Sequence, residues 1–226
     1  MKKNKLIIAG CSASDRGLVE RCYGDTLSEL LDMDYVHRAA GCGSNYRIWR
    51  IITSMIMSDE ITSDDKLIIQ YTTKNRREFW TSNYCNESSL GIVNLAEPYG
   101  DFGTTVKFKD GAYTWQGNKN TAKFFKQYQN EFVNEEYDKE VFEVNHYNFC
   151  NTLIVNNIDV VFLCIFDYCS PTYLQSNSSE LPVVHISRNE CLSEHIQEDG
   201  GHFTDAGHKH TAHVMHTYLM SLNKSS

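Results

Sequence analysis

The chain has 226 residues, of which 41% are hydrophobic and 22% are charged, proportions that are ordinary for a globular protein. Its formal net charge is -8, and basic residues cluster only at Lys74, Arg76 and Arg77. Binding to a nucleic-acid backbone requires many clustered cations, so this composition argues against a nucleic-acid partner. No segment approaches the roughly 20 apolar residues of a membrane span, which argues against a membrane protein.

The cellular compartment is indicated by the N-terminal sequence and the cysteines. The positively charged N-terminus is followed by an apolar run of only about five residues, whereas a signal peptide has roughly 7–15. The eight cysteines are scattered without a C-x-x-C pair, which favours reduced thiols over a disulfide framework. We therefore expect a cytoplasmic protein.

Strand and helix patterns alternate along most of the chain. Short apolar runs predict five strands, at residues 5–10, 35–39, 66–72, 160–166 and 183–186. Helical spacing of apolar residues predicts helices at 15–32, 45–57, 119–131 and 134–157, and a last helix after residue 204. This alternation implies parallel strands joined by right-handed crossovers. We predict one domain over residues 1–226, a three-layer α/β/α sandwich around a mainly parallel five-stranded sheet.

The segment after the third predicted strand breaks this alternation. Residues 73–118 are rich in Tyr, Asn, Gly and Thr, and we expect them to be largely irregular apart from one hairpin. That hairpin is predicted at 104–108 and 112–115, with an Asp-Gly turn. Long irregular stretches in compact domains are commonly functional loops, so we predict a lid-like insertion at about 81–118. Its aromatic residues stack on a ligand or form the core of the lid: Tyr99, Phe102, Tyr113 and Trp115.

A carboxylate and a histidine stand three residues apart near the C-terminus, at Asp199 and His202. Glycines fill the loop between them, and Thr204 or Asp205 can cap the helix that follows. A helix would hold this loop on a rigid body, as a general base requires. If Asp199 points elsewhere, Glu198 is the alternative partner of the histidine.

A histidine oriented by a carboxylate needs a nucleophile to activate. Ser12 is the best candidate, because it follows Gly10 at the end of the first predicted strand, the edge at which open α/β sheets build their sites. The hypothesis is a hydrolase with Ser12 as nucleophile, His202 as base and Asp199 as its orienting partner. The alternatives are that Ser12 caps the next helix and that His202 is an ordinary loop histidine. Cys11 is either a competing nucleophile or a small apolar filler.

Three blocks of this sequence resemble the SGNH (GDSL) hydrolase superfamily. They are Gly10-Cys11-Ser12, the Ala-Gly-Cys-Gly-Ser-Asn run at 40–45, and Asp199-Gly200-Gly201-His202 with Gly207-His208. The resemblance implies a flavodoxin-like α/β fold and ester hydrolysis through an acyl-enzyme, without a cofactor or metal. The family usually has Asp where this chain has Cys11.

The resemblance also implies the groups that would hold the oxyanion. The backbone N–H of Ser12 carries over directly. A glycine of the second block is the next donor, and we prefer Gly41 to Gly43, with Asn45 as a further side-chain contributor. The third donor in the family is an asparagine, for which Asn75 is the candidate.

The third block departs from the family pattern. The family has Gly-x-Asn-Asp after the third strand, whereas residues 71–80 here read Tyr-Thr-Thr-Lys-Asn-Arg-Arg-Glu-Phe-Trp. Thr73 or Arg76 could replace Asn75 as the donor. The sequence of this block resembles a subgroup of phage-encoded members of the superfamily. The predicted substrate-binding residues are Tyr71, Arg76, Tyr113 and Trp115.

The sequence therefore favours a serine esterase acting on a small O-acyl ester, for example an acetyl group on a carbohydrate. The first alternative is a catalytically inactive binding protein of the same fold that holds a ligand or partner with its aromatic lid. The second is a zinc-dependent hydrolase, because imidazoles are good zinc ligands and histidines recur near the C-terminus. These histidines are His202, His208, His210, His213 and His216.

Overall fold

The structure of the protein is a computed structural model. It describes residues 3–15, 19–40, 43–72, 77–86, 89–95, 105–108, 111–114, 127, 131, 134–165, 181–197 and 202–222. The strands in chain order are β1 (Lys5–Ala9), β2 (Asp34–His37), β3 (Lys66–Gln70), β4 (Arg77–Asn86), β5 (Ser89–Leu95), β6 (Thr105–Phe108), β7 (Gly111–Thr114), β8 (Asp159–Ile165) and β9 (Val183–Ile186). The α-helices are α1 (Tyr23–Leu31), α2 (Asn45–Met57), α3 (Glu135–Val155) and α4 (Asp205–Leu222).

Five parallel strands form the central sheet, in the order β2-β1-β3-β8-β9. The five predicted strands are thus confirmed, each within two residues of its predicted ends. β1 lies between β2 and β3, so the chain leaves it first toward one edge of the sheet and later returns to its other side. This reversal makes the carboxyl ends of β1 and β3 the switch point of the sheet, where open α/β folds form a crevice.

Both faces of the central sheet are covered, which explains the unbroken apolar runs of β1 and β3. On one face, Ile7 and Leu67 belong to a core that includes residues of α2 and α3. On the other face, Ile8 and Ile68 belong to a core that includes residues of α1 and α4. The three-layer α/β/α arrangement predicted from the sequence is confirmed.

Helix α1 is shorter than predicted. The prediction ran from residue 15 to 32, but the helix begins at Tyr23, where the backbone N–H of Cys22 donates to the Asp25 carboxylate over 3.0 Å in a capping box. Residues 12–14 form a separate 3₁₀ turn. The first loop therefore has its own conformation and is not the start of the helix. The predicted helix at 119–131 lies outside the described residues, except for residues 127 and 131.

A second sheet of antiparallel strands, ordered β4-β5-β6-β7, occupies the segment predicted to be irregular. The predicted hairpin is confirmed as β6 and β7, in which Phe108 pairs with Gly111. The expectation that the rest would be irregular is wrong for β4 and β5. Apolar residues in β4 do not alternate regularly, and its register with β5 shifts between Thr81 and Asn86, so the period-2 signal of a strand is lost. The lid role of this segment stays a prediction.

None of the helices in the described part of the chain is both long enough and apolar enough to cross a bilayer.

Candidate active site

The nucleophile candidate lies on a tight turn directly after β1. The backbone N–H of Ser14 donates to the carbonyl of Cys11 over 3.0 Å, and that of Asp15 donates to the carbonyl of Ser12 over 3.2 Å. Ala13 and Ser14 are buried, while Ser12 is half-buried. The turn at residues 11–15 therefore places Ser12 at the switch point of the sheet. It is called the nucleophile turn below, after the candidate nucleophile that it carries. The alternative that Ser12 caps the next helix is wrong, because α1 begins at Tyr23 with Cys22 as its N-cap.

Gln70, the last residue of β3, holds this turn. Its side-chain oxygen Oε1 accepts hydrogen bonds from Cys11 N over 3.0 Å, from Cys11 Sγ over 3.2 Å and from Ser14 Oγ over 3.2 Å. Gln70 is fully buried. Sequence reasoning missed it, although a glutamine closing an otherwise apolar buried strand is a signal, since buried polar side chains are costly unless they are hydrogen-bonded.

Cys11 is 1% exposed and packs in the core below the turn. Its thiol donates to Gln70, so this side chain fills the position as a small buried group with one weak hydrogen bond. The structure favours the filler interpretation of Cys11 over the competing nucleophile, because the residue is buried and its thiol is hydrogen-bonded to Gln70.

The loop after β2, here called the second loop, approaches the first loop, which follows β1, very closely at Gly43. A Cβ at this position would lie 2.9 Å from the carbonyl oxygen of Ala40 and 3.1 Å from that of Gly10. The N–H of Ala40 also donates to the carbonyl of Gly10 over 3.2 Å. Gly43 is thus needed for backbone packing between the two loops. Gly41, the preferred oxyanion donor of this loop, lies outside the described residues.

Asn45 ties the second loop to the third. Its Nδ2 donates to the carbonyl of Thr72 over 3.0 Å, and its Oδ1 accepts from the N–H of Thr72 over 3.0 Å. Asn45 is 1% exposed, and it lies at the start of α2, where the Ser44 hydroxyl accepts from Arg47 N as the cap. This two-point clamp is a structural role that the sequence did not predict for Asn45. Its role as an oxyanion donor stays a prediction.

The described residues on either side of the histidine loop, 193–197 and 202–204, are held by backbone hydrogen bonds and by Thr204. The hydroxyl of Thr204 accepts from Gly207 N over 3.2 Å and caps α4, so of the two predicted caps Thr204 performs this role. The N–H of Thr204 donates to the His195 carbonyl, and that of Gln197 donates to the His202 carbonyl. A Cβ on Gly207 would lie only 2.1 Å from the His195 carbonyl oxygen, so α4 begins in direct contact with the preceding turn. His202 is half-buried just before this helix.

His208 connects α4 to the helix that follows the nucleophile turn. It is 3% exposed and stacks on the ring of Tyr23, with ring centroids 6.1 Å apart. Its Nδ1 faces the backbone N–H of Tyr23 at 3.2 Å and must therefore act as the acceptor. Burial is the main reason why the pKa of His208 falls to about 4; the charges of Asp205 and Asp25 oppose this shift, and that of His202 adds slightly to it. His208 is consequently a neutral packing residue.

Side-chain hydrogen bonds join β3 to α1 through the nucleophile turn. Tyr23 Oη lies 2.8 Å from Ser14 Oγ, which in turn donates to Gln70 Oε1. Burial raises the pKa of Tyr23, so its hydroxyl keeps its proton. Because Ser14 uses its own hydroxyl proton for Gln70 Oε1, the Tyr23 hydroxyl is the donor to Ser14. The turn that carries Ser12 is thereby connected to β3 on one side and to α1 on the other. The backbone N–H of Tyr23 in turn donates to His208 of α4.

Several predicted site residues lie outside the described residues, including Asp199, the predicted partner of His202. These are Glu198, Asp199, Gly41, Thr73, Asn75, Arg76, Tyr99, Phe102 and Trp115. Tyr113 lies in β7.

Tyr71 is located in the core and not at a ligand surface. It is fully buried, and its hydroxyl accepts from Trp49 Nε1 over 2.8 Å and lies 3.0 Å from His146 Nδ1. A fully buried ring cannot contact a ligand at the surface, so Tyr71 is removed from the set of substrate contacts.

The C-terminal histidines point in different directions. His208 faces Tyr23, His210 stacks on His195 with centroids 4.7 Å apart, and His213 is exposed. Over the described residues, no group of three His, Cys, Asp or Glu side chains is placed to hold a metal ion. The zinc alternative therefore finds no ligand set in this part of the chain.

Solved structures of bacterial proteins share this fold at low sequence identity. A protein assigned to the G-D-S-L lipolytic family, from Desulfitobacterium hafniense DCB-2, has a TM-score of 0.50 at 10% identity, covering 96% of this chain and 97% of that chain. A Lactobacillus plantarum protein has a TM-score of 0.51 at 12% identity, covering 98% of both chains. An acetyl xylan esterase from the rumen bacterium Butyrivibrio proteoclasticus has a TM-score of 0.54 at 10% identity, covering 99% of this chain and 65% of the esterase.

In sequence, no family model and no curated protein matches the chain. At these identities the structural neighbours establish the shared α/β fold.

Proposed function

We propose that the protein is a serine ester hydrolase of the SGNH type. The observation that carries this proposal is the position of Ser12, half-buried on a tight turn at the switch point of a parallel sheet. Buried polar contacts tie that turn both to β3 and to the helix that His202 precedes. The fold shared with a G-D-S-L family protein and an acetyl xylan esterase supports the same chemistry.

In the proposed reaction, Ser12 Oγ attacks the ester carbonyl and gives its proton to the imidazole of His202. Asp199 orients the imidazole and stabilises its charged form. The imidazolium returns the proton to the departing alcohol, which leaves an acyl group on Ser12. A water molecule, deprotonated by His202, then attacks the acyl-enzyme and releases the carboxylic acid. No cofactor is needed for any step.

The developing oxyanion would be held by the N–H of Ser12, by Gly41 and by Asn75, with Gly43 and Asn45 as secondary candidates. Such donors stabilise the charge that appears in the transition state and are commonly the largest electrostatic contribution to acyl transfer. Asn45 already holds the Thr72 backbone at the start of the third loop, so it supports this arrangement at least by positioning.

We propose a small O-acyl ester as the substrate, for example an acetyl group on a carbohydrate. The acetyl xylan esterase among the structural neighbours supports this class by analogy. Arg76, Tyr113 and Trp115 are the proposed substrate contacts from the lid-like insertion. The wording of the third block supports a phage-like subgroup, and the scattered cysteines support a cytoplasmic location.

The proposal is tested with short p-nitrophenyl esters and a fluorophosphonate probe, using the wild type and Ser12→Ala. We expect wild-type turnover, probe label on Ser12, and a loss of at least ~10³-fold in kcat for the variant. Ser193→Ala, in an exposed turn, is the matched control and should retain full activity. Absence of both turnover and label in the wild type would instead favour the inactive binding protein that uses its aromatic lid.

A further inference from the structure

We infer that Gln70 is the positioning residue of the nucleophile turn, and that Cys11 is the partner through which it acts. The effect on catalysis rests on the proposed function, whereas the effect on the turn does not. Gln70 makes no contact with the reacting atoms in this scheme. It fixes the backbone on both sides of Ser12, because its three donors come from residues 11 and 14.

The orientation of the Gln70 amide follows from its partners. Cys11 N is a backbone donor, so the atom facing it must be the amide oxygen. At the other end, Nε2 donates to the Tyr71 carbonyl, which can only accept. Both ends of the amide are thereby assigned. A flipped side chain would place its NH₂ group against the Cys11 N–H and its oxygen against the Tyr71 carbonyl.

The three hydrogen bonds need an unusually close approach at Gly10. A Cβ on Gly10 would lie 2.9 Å from Gln70 Oε1 and 2.9 Å from Ser14 Oγ. Only glycine leaves room for the amide to reach both residues. The absence of a side chain at Gly10 thus makes the space that the side chain of Gln70 occupies.

Cys11 is matched to Gln70 in charge as well. Its buried thiol donates to the same oxygen that accepts from the Cys11 backbone N–H. A carboxylate at position 11 would direct an anion at the amide oxygen of Gln70 and could donate nothing to it. The presence of Cys11 is therefore explained by the presence of Gln70.

Loss of the Gln70 oxygen would leave the Cys11 N–H without its acceptor and would release the Ser14 hydroxyl from β3. The turn would then relax, and the hydroxyl of Ser12 would leave its productive position. Displacements of about 1 Å of a reacting group can cost on the order of 10²-fold in rate. We expect this loss in kcat with KM nearly unchanged, since Gln70 does not contact the substrate.

The test uses the full chain and two independent readouts. The first is hydrogen exchange of the Cys11 amide, which reports the hydrogen bond to Gln70 without any reference to activity. The second is the rate of fluorophosphonate labelling of Ser12, together with kcat and KM for p-nitrophenyl acetate. The variants are Gln70→Leu, Gln70→Glu and Cys11→Ala, with exposed Gln127→Leu as the control.

In Gln70→Leu we expect Cys11 exchange to accelerate at least ~10-fold and labelling and kcat to fall about 100-fold. Gln70→Glu keeps an acceptor for the Cys11 N–H but loses the donor to the Tyr71 carbonyl. Its effects on exchange, labelling and kcat should therefore be smaller than those of Gln70→Leu. It replaces Gln70→Leu in the test if that variant does not fold. Cys11→Ala removes only the thiol bond and should reduce labelling about threefold, on the scale of a weak hydrogen bond.

Unchanged protection of the Cys11 amide in Gln70→Leu would overturn the inference. If Gln70→Leu does not fold, unchanged protection together with unchanged labelling in Gln70→Glu would do so. So would a rise in KM at constant kcat, which would make Gln70 a substrate contact. If the wild type shows neither turnover nor label, the proposed function fails but the exchange experiment still decides the positioning role. An unprotected Cys11 amide in the wild type would contradict the inference directly.

Discussion

The nucleophile turn and the histidine loop are held in place by different kinds of contact. The turn around Ser12 depends on buried side chains, chiefly Gln70, Ser14 and Tyr23. The loop before α4 depends mainly on backbone hydrogen bonds and on a helix start in contact with the preceding turn, where Gly207 has no room for a side chain. Side-chain substitutions should therefore disturb the first region selectively, whereas the second should be sensitive to added volume.

The largest effect is expected at Gly207. In Gly207→Ala the new Cβ would lie 2.1 Å from the His195 carbonyl oxygen, a backbone atom that cannot rotate away. Overpacking of this kind should lower the free energy of unfolding by about 3 kcal/mol, measured by urea denaturation. The neighbouring exposed alanine supplies the control, Ala206→Ser, which should change stability by less than about 0.5 kcal/mol. Equal stability of both variants would show that α4 can move away from the turn.

A pH-dependent loss of stability is expected from His208. Its folded-state pKa is about 4 against 6.5 for the free side chain, so the unfolded chain binds a proton first as the pH falls. The contribution of the neutral buried ring is fully present above pH 6.5 and is lost between pH 6.5 and 4, amounting to roughly 3 kcal/mol at most.

The comparison for this pH experiment is between His208→Gln and His213→Gln, measured by urea denaturation at pH 7, 5.5 and 4. The buried variant should lose most of the pH slope in this window, while the exposed one should keep it. The same slope in the wild type and His208→Gln would assign the acid sensitivity to other groups.

A smaller effect is expected for Tyr23→Phe. The substitution removes the hydroxyl that donates to Ser14 while keeping the ring that stacks on His208. One buried hydrogen bond corresponds to about 1 kcal/mol of stability. Exposed Tyr137→Phe is the matched control and should be neutral in a thermal melt. If Tyr23→Phe also leaves Ser12 labelling unchanged, the hydrogen bond from Tyr23 to Ser14 does not help to position Ser12, and Gln70 alone holds the turn.

Part of the candidate site could be predicted because short-range sequence patterns determine the positions of its residues. Ser12 follows an apolar strand, and Thr204 begins a helix that contains an amphipathic pattern, so both positions are fixed by short-range signals. Gln70 and Asn45 could not be assigned their roles in this way. Their partners are the turn after β1 and the backbone of Thr72, which approach them only when the sheet is assembled.

The sequence by itself determined the five parallel strands, the layers of helices around them and the order of the motif-bearing loops, because apolar periodicity is a local property that each segment carries. Only the tertiary structure decided that Tyr71 and His208 face the core, that β4 and β5 pair across a register shift, and that three donors converge on Gln70. These features depend on which surfaces meet after folding. Burial, close approach and hydrogen-bond pairing between residues distant in the chain are set by that assembly.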